Sequence, residues 1–480
     1  MLSSSGKPAP PSPPAGGNVA TGINPTGNSA RTNISARQVP ASGGALRGIE
    51  LVDPDEANPF RKLAFWFALA TIFVRFAVLP ELLFYITGSN TYVLYLVAPV
   101  AAIGCLLTGG LRRTFRSPAS YLFLAFYVWM IVDTPFSSWR GDSTRLVIGF
   151  GRTDLILLFL CAGLAVNWKE VRAVITTIAL AGVVTLFVAG VLSKSENGRI
   201  ALDLNFDGII SNANDLAAHL MLVLPFVFFL AMKPGRFIVV RVALLAGIVF
   251  GVLIILKTGS RGALVGLIFI GLFCLLRASG TQRLGFILAI PLIAAILVPV
   301  LPQTTRSRLM MLFVEDTRAE GENEAGESSA TRAYLFKKSL LYTWEHPVFG
   351  VGPGQFENFE GSSSRAQGEH GSWHATHCTY TQISSECGIP ALIFFVGALL
   401  VAGHLLNKTY KQAVLQRHKE IANASFCILL ALIGYLTVAV FLAMAYRFTF
   451  PALVGLAISF YFAAKKELSK GTGLAGLRIA

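Results

Sequence analysis

Stretches of nearly continuous apolar sequence recur between Arg61 and Lys465. Each is close to the roughly 20 residues that a bilayer-crossing helix needs. So much apolar chain exceeds what one soluble core can bury, and the expected fold is therefore all-α, a polytopic membrane protein. Twelve runs are predicted as spans: 63–86, 91–108, 119–137, 144–166, 172–192, 214–232, 238–256, 261–276, 284–301, 388–406, 424–444 and 448–464. Barrel strands would read instead as short alternating segments, and these are absent. Charged residues make up 14% of the chain, against about 25% in soluble domains.

The net charge of +14 does not point to nucleic acid, because the basic residues form no single patch. They fall in short clusters between apolar runs, as charges that orient membrane loops do. With the N-terminus inside, the inner segments hold 24 Lys and Arg, and the outer segments outside the long loop hold eight. Both termini are thus predicted to be cytoplasmic. Cys105, Cys161, Cys274 and Cys427 lie in apolar runs as small core residues, and Cys378 and Cys387 are too far apart along one helix for a disulfide.

Residues 1–58 are rich in Ser, Pro, Gly, Ala and Asn and are expected to form a disordered cytoplasmic tail. Spans one to nine would occupy 59–301, a long outer loop 302–376, spans ten to twelve 377–465, and a cytoplasmic tail 466–480. Within the loop, EDTRAEGENEAGESS (315–329) reads as a solvated, mobile segment. TRAYLFKKSLLYTWE (331–345) sets Leu335, Leu340 and Trp344 at helical spacing, which predicts an amphipathic helix lying on the membrane surface. Gly352 and Gly354, in the turn HPVFGVGPGQF, would let backbone approach a ligand.

Cations at the outer ends are few and specific: Arg145, Arg152, Arg261, Arg332 and Arg447. Each alone could snorkel to lipid phosphates. Converging on one face they would clamp a diphosphate, since guanidinium binds phosphate bidentately and stays charged. His377 is the natural proton-transfer group near neutrality, although a lone histidine at an interface is more often an inert hydrogen bonder. His370 and His374 raise a weak metal alternative in a glycine-containing loop. Glu386 lies nine residues beyond His377, on the opposite side of any shared helix, so it reads as a charge near the helix start rather than as a dyad partner. Asn212 and Asn214 suit helix capping better than sugar binding.

Four stretches together resemble the bacterial O-antigen ligase and O-antigen polymerase superfamily: SNANDLA (211–217), TGSRGALVGL (258–267), TRAYLFKKSLLYTWEHPVFGVGPGQF (331–356) and THCTYTQISSECGIP (376–390). The likeness covers roughly residues 60–465. Two positions depart from it: Cys378 stands where the family has Asn, and Ala391, three beyond Gly388, is not the family's usual residue. The resemblance implies a metal-independent, cofactor-free inverting glycosyltransferase on the outer face of the bacterial inner membrane. The donor would be a glycan on undecaprenyl diphosphate, and the acceptor a glycan or glycolipid. His377 would be general base, Arg261 and Arg332 diphosphate ligands with Arg447 and Arg145 beside them, and Asn214, Glu386, Gly388, Gly352 and Gly354 supporting residues. Lipopolysaccharide, exopolysaccharide or capsule synthesis, with other polysaccharide-assembly membrane proteins as partners, would be the setting. Two rival readings are a polytopic transporter and a non-catalytic glycan-binding protein. Transport is disfavoured by the unequal halves and the absence of an internal repeat.

Overall fold

A computed structural model describes residues 54–476 except 197, 203, 205–207, 209, 211, 311–321 and 369–372. Residues 1–53 of the predicted tail, most of the acidic segment before Glu322, and His370 lie outside the described residues. The protein is an all-α polytopic membrane protein, and each of the twelve apolar runs contains a helix. Among the described residues seven helices are long and apolar enough to cross a membrane, and Pro59–Phe76 with Leu79–Thr87, bent by 66°, would make an eighth. Val93–Leu107 and Arg261–Arg277, with 15 and 17 residues, are shorter. The last helix, Thr449–Gly476, runs well past the predicted span. The strand pair found among the described residues is a small antiparallel hairpin, Lys194–Glu196 with Arg199–Ala201.

Helix starts follow local chemistry. Asn58 accepts from the Phe60 and Arg61 amides ahead of Pro59–Phe76, and Asn167 caps Trp168–Leu192. Asn212 accepts from the Asn214 and Asp215 amides at the start of Ala213–Ala231, satisfying donors that a helix leaves orphaned. Ala213–Ala231 is the most enclosed span. It packs on Trp168–Leu192, Ile238–Lys257 and Lys419–Val438, and its side chains are buried nearly all round. The long helix Thr379–Leu415 packs on Pro118–Asp133, Lys419–Val438 and Thr449–Gly476, bringing an early helix and the last two into one core.

That long helix is broken at Gly388 (φ 80°, ψ 173°), followed by Pro390, which has no N–H to donate. The break is buried in the protein, so the backbone groups it frees cannot be met by water. The glycine-rich turn repairs it: Val351 and Gly352 amides donate to the Ser385 and Glu386 carbonyls at 2.8 Å each, and Ile389 donates to the Pro347 carbonyl at 2.8 Å. Trp129 Nε1 donates to the Cys387 carbonyl at 2.9 Å. Gly352 thus brings the turn's backbone against the helix backbone, while the Gly354 amide meets the Glu386 carboxylate. A Cβ on Gly388 would strike the Val348 carbonyl, and one on Gly352 would strike Ser137.

A helix stands where the loop helix is predicted, and it is longer, Glu322–Glu345, taking in residues 322–329. Its apolar stripe is also split. Leu335 is fully buried with Tyr342, Val351 and Phe356 in a small second core, whereas Leu340 and Trp344 are exposed. Five residues rotate a helix by about 140° net, so Leu335 and Leu340 could not share a face.

Candidate active site

His377 immediately precedes the long helix and holds a left-handed backbone (φ 54°), unusual for a residue other than glycine. The segment around it is bolted down. Thr379 donates its amide to the Ala439 carbonyl (2.8 Å) and its hydroxyl to the Leu442 carbonyl (2.6 Å), while Ala445 donates to Gln382 Oε1 (3.1 Å). Strain of this kind costs about 1–3 kcal/mol and persists only where the surroundings fix it. His377 is half-buried. Burial first, then the charges of Arg332 and His374, pull its pKa down to about 4, so at neutral pH the imidazole is neutral, with one ring nitrogen able to accept a proton.

Cys378 occupies the N-cap position with an extended backbone, but its thiol makes no cap bond. The family's Asn would sit where a capping amide works best, so its absence here removes a cap. Thr376 Oγ accepts from the Cys378 amide instead, at 3.4 Å.

Arg332 sits in Glu322–Glu345 close enough to act on His377 electrostatically. Arg261 is the first residue of its helix, behind the Ser260 cap. A helix N-terminus carries positive partial charge, so guanidinium and dipole there reinforce each other toward an anion. Arg199, not singled out in the sequence, reaches the turn before Arg261: its Nε donates to the Thr258 carbonyl and its Nη2 to Asn214 Oδ1, both at 2.8 Å. Asn214 thus holds Arg199, and capping belongs to Asn212 alone.

Arg447 pairs with Asp215 at 3.0 Å, and Asn212 Nδ2 donates to the other Asp215 oxygen at 2.9 Å. Next to it, Tyr446 donates its hydroxyl to Glu386 Oε2 at 2.5 Å, and Gly354 donates its amide to the same oxygen at 3.1 Å. Glu386 is buried eight residues into the helix. It ties the glycine turn to the Tyr446–Arg447 corner and does not cap its helix start. Arg145 joins none of this; its side chain is 85% exposed, with a 3.4 Å contact to Asp142. Asp215 and Tyr446 escaped the sequence reading because their partners lie 232 and 60 residues away. Among the described residues no group of three or more His, Cys, Asp or Glu is placed to hold a metal ion, and His370 falls outside them.

These features define a helical membrane protein with a strained, neutral histidine beside an arginine contributed by a separate element. Residues 246–396 match a family model described as O-antigen ligase. The match spans Arg261, Arg332, His377 and the Gly388 break, and it supports the chain's place in the O-antigen ligase and polymerase superfamily. No curated protein matches the chain.

Proposed function

We propose that the protein transfers a glycan from undecaprenyl diphosphate to an acceptor sugar hydroxyl, at the membrane face where His377 sits. His377 takes the hydroxyl proton as the acceptor oxygen attacks the anomeric carbon. The bond from that carbon to the diphosphate oxygen breaks, the diphosphate leaves with the electron pair, and configuration inverts. Arg332 and Arg261 hold the leaving diphosphate, whose developing charge needs fixed cations rather than a metal. The bound anion offsets the charge of Arg332 and makes His377 a better base in the complex than in the free protein.

The observation that carries this reading is His377 itself: strained, half-buried, neutral, and within the field of Arg332. The excess of inner Lys and Arg supports cytoplasmic termini, and hence a site on the outer face of the inner membrane. Arg447, locked to Asp215, is read as a positioning residue rather than a direct diphosphate ligand.

The test uses purified protein in lipid vesicles with a lipid-diphosphate oligosaccharide and a chelator, following release of undecaprenyl diphosphate. Release that requires His377 and lengthens the lipid-linked glycan makes the protein a polymerase. Release only with a lipopolysaccharide-core acceptor makes it a ligase. One feature favours the rival transport reading: Pro59–Thr87 and Arg140–Leu164 are each interrupted mid-span, as transporter helices often are. Lipid movement across the bilayer with no release would decide for transport.

A further inference from the structure

Arg261 stands just past a short junction, residues 258–260, between the helices Ile238–Lys257 and Arg261–Arg277. Gly259 turns the chain there with a left-handed φ of 61°. Where the Arg261 side chain starts from therefore depends on what fixes this turn. Part of the answer is local. Thr258 donates its hydroxyl to the Ile255 carbonyl at 2.6 Å, and Ser260 Oγ accepts from the Ala263 amide at 3.4 Å. These bonds shape the turn from within its own two helices.

Arg199 ties it from outside. It belongs to the second strand of the hairpin, which has its own anchors. Ile200 packs against the core, Leu202 is buried, and Thr305 donates its hydroxyl to the Gly198 carbonyl at 2.6 Å. From this base the guanidinium reaches two helices at once, through Nε to the Thr258 carbonyl and through Nη2 to Asn214 Oδ1, each at 2.8 Å. Thr258 is the C-cap of Ile238–Lys257 and is fully buried, so water does not serve its carbonyl. A helix C-terminus has unmet carbonyls and negative partial charge, which makes a cation the fitting partner. A Cβ placed on Gly259 would meet Arg199 and Thr305 at 3.7 Å, so both side chains line the turn. Asn214, the other acceptor, adjoins the Asp215 that pairs with Arg447. One planar group thus registers the Arg261 turn against the Arg447 corner. The ammonium of a lysine presents no such fork.

We infer that Arg199 is a positioning residue: it clamps the 258–260 turn so that Arg261 meets the leaving diphosphate, and it acts through Arg261 rather than on the diphosphate itself. The part played in transfer rests on the glycan-transfer reading. The clamp on the turn does not.

Two measurements on the full-length protein in lipid nanodiscs test this. The first is hydrogen exchange read by mass spectrometry, which needs no activity. Arg199→Ala should speed exchange across residues 259–266 about tenfold while leaving Lys419–Val438 unchanged. Arg199→Lys should behave like Arg199→Ala. Thr305→Val keeps the guanidinium but removes an anchor of the hairpin, and should give the same local pattern more weakly. If Arg199→Ala does not fold, Thr305→Val decides alone. Wild-type exchange at 259–266, or faster exchange throughout the protein, overturns the inference. The second measurement is single-turnover glycan transfer. Arg199→Ala should lower kcat/KM about 10–100-fold, as a misplaced ligand does. With Arg261→Ala already present, the further loss should be less than about twofold. Equal losses in the two backgrounds would mean that Arg199 acts independently of Arg261, and would overturn the inference. Local exchange effects in a protein that transfers nothing would uphold the clamp and remove the transferase reading alone.

Discussion

Gly388→Ala is the sharpest test of how the site is held. Gly388 has φ 80° and ψ 173°, a region that is essentially closed to residues with a Cβ. The added methyl would also meet the carbonyls of Val348 and Pro347. Neither is the flexible end of a side chain, so the turn itself must withdraw. Withdrawal endangers the three repair bonds from Val351, Gly352 and Ile389. Backbone strain contributes about 1–3 kcal/mol. Losing two of those bonds adds about 0.5–1.5 kcal/mol each. The expected destabilisation is therefore about 2–6 kcal/mol, read by denaturant titration of the purified protein in mixed micelles. Gly271→Ala is the matched control, because a Cβ there meets nothing within 4 Å. A loss below about 1 kcal/mol for Gly388→Ala would refute the claim that the turn is fixed by the helix break.

His377, with its pKa near 4, is protonated only below that value, so the basic form persists across the neutral range. The acid limb of kcat/KM for glycan transfer should fall near pH 4, not near pH 6.5, and a limb at 6.5 would remove His377 as the base. Arg447→Gln removes the cation that faces the Asp215 carboxylate, whose side chain is 3% exposed, and should cost about 3–5 kcal/mol; Arg447→Gln with Asp215→Asn should recover much of that, and a double variant no better than the single would show the pair is not coupled. Cys378→Asn supplies the missing helix cap and should stabilise the protein by about 1 kcal/mol in the same denaturant titration, where an unchanged midpoint would count against the cap assignment.

The sequence announced its helices because membrane spans are local objects. Run length, a capping Asn or Ser, and a following Pro all sit within one stretch of chain, as at Asn58–Pro59 and Ser117–Pro118. The turn at Gly350–Gly354 was visible as a turn, but not its target, since what it contacts is the carbonyls of residues 385 and 386. Asp215, Arg199 and Tyr446 were overlooked for the same reason. Each acts through a partner on another helix, and no periodicity records such a pairing. The Leu335–Leu340–Trp344 stripe failed on geometry that was available: spacing by five is not spacing by three or four.

Two separate elements must meet for Arg332 and His377 to act together, and the helix break explains how they do. Glu322–Glu345 carries Arg332, and it is pinned to the long helix by Thr343 Oγ against Ser384 Oγ at 2.8 Å. Just beyond, the chain enters the turn whose amides satisfy the carbonyls freed at Gly388. The same helix begins two residues after His377. The spacing of histidine and arginine is thus set by backbone hydrogen bonding at an obligatory site, since Ser385 and Glu386 are buried and leaving their carbonyls unmet would cost about 1–3 kcal/mol each. A side-chain clasp could be lost to one substitution. A backbone repair fails only when the break itself is altered, which is why the glycine at position 388 governs the geometry of a cation and a base that it never touches.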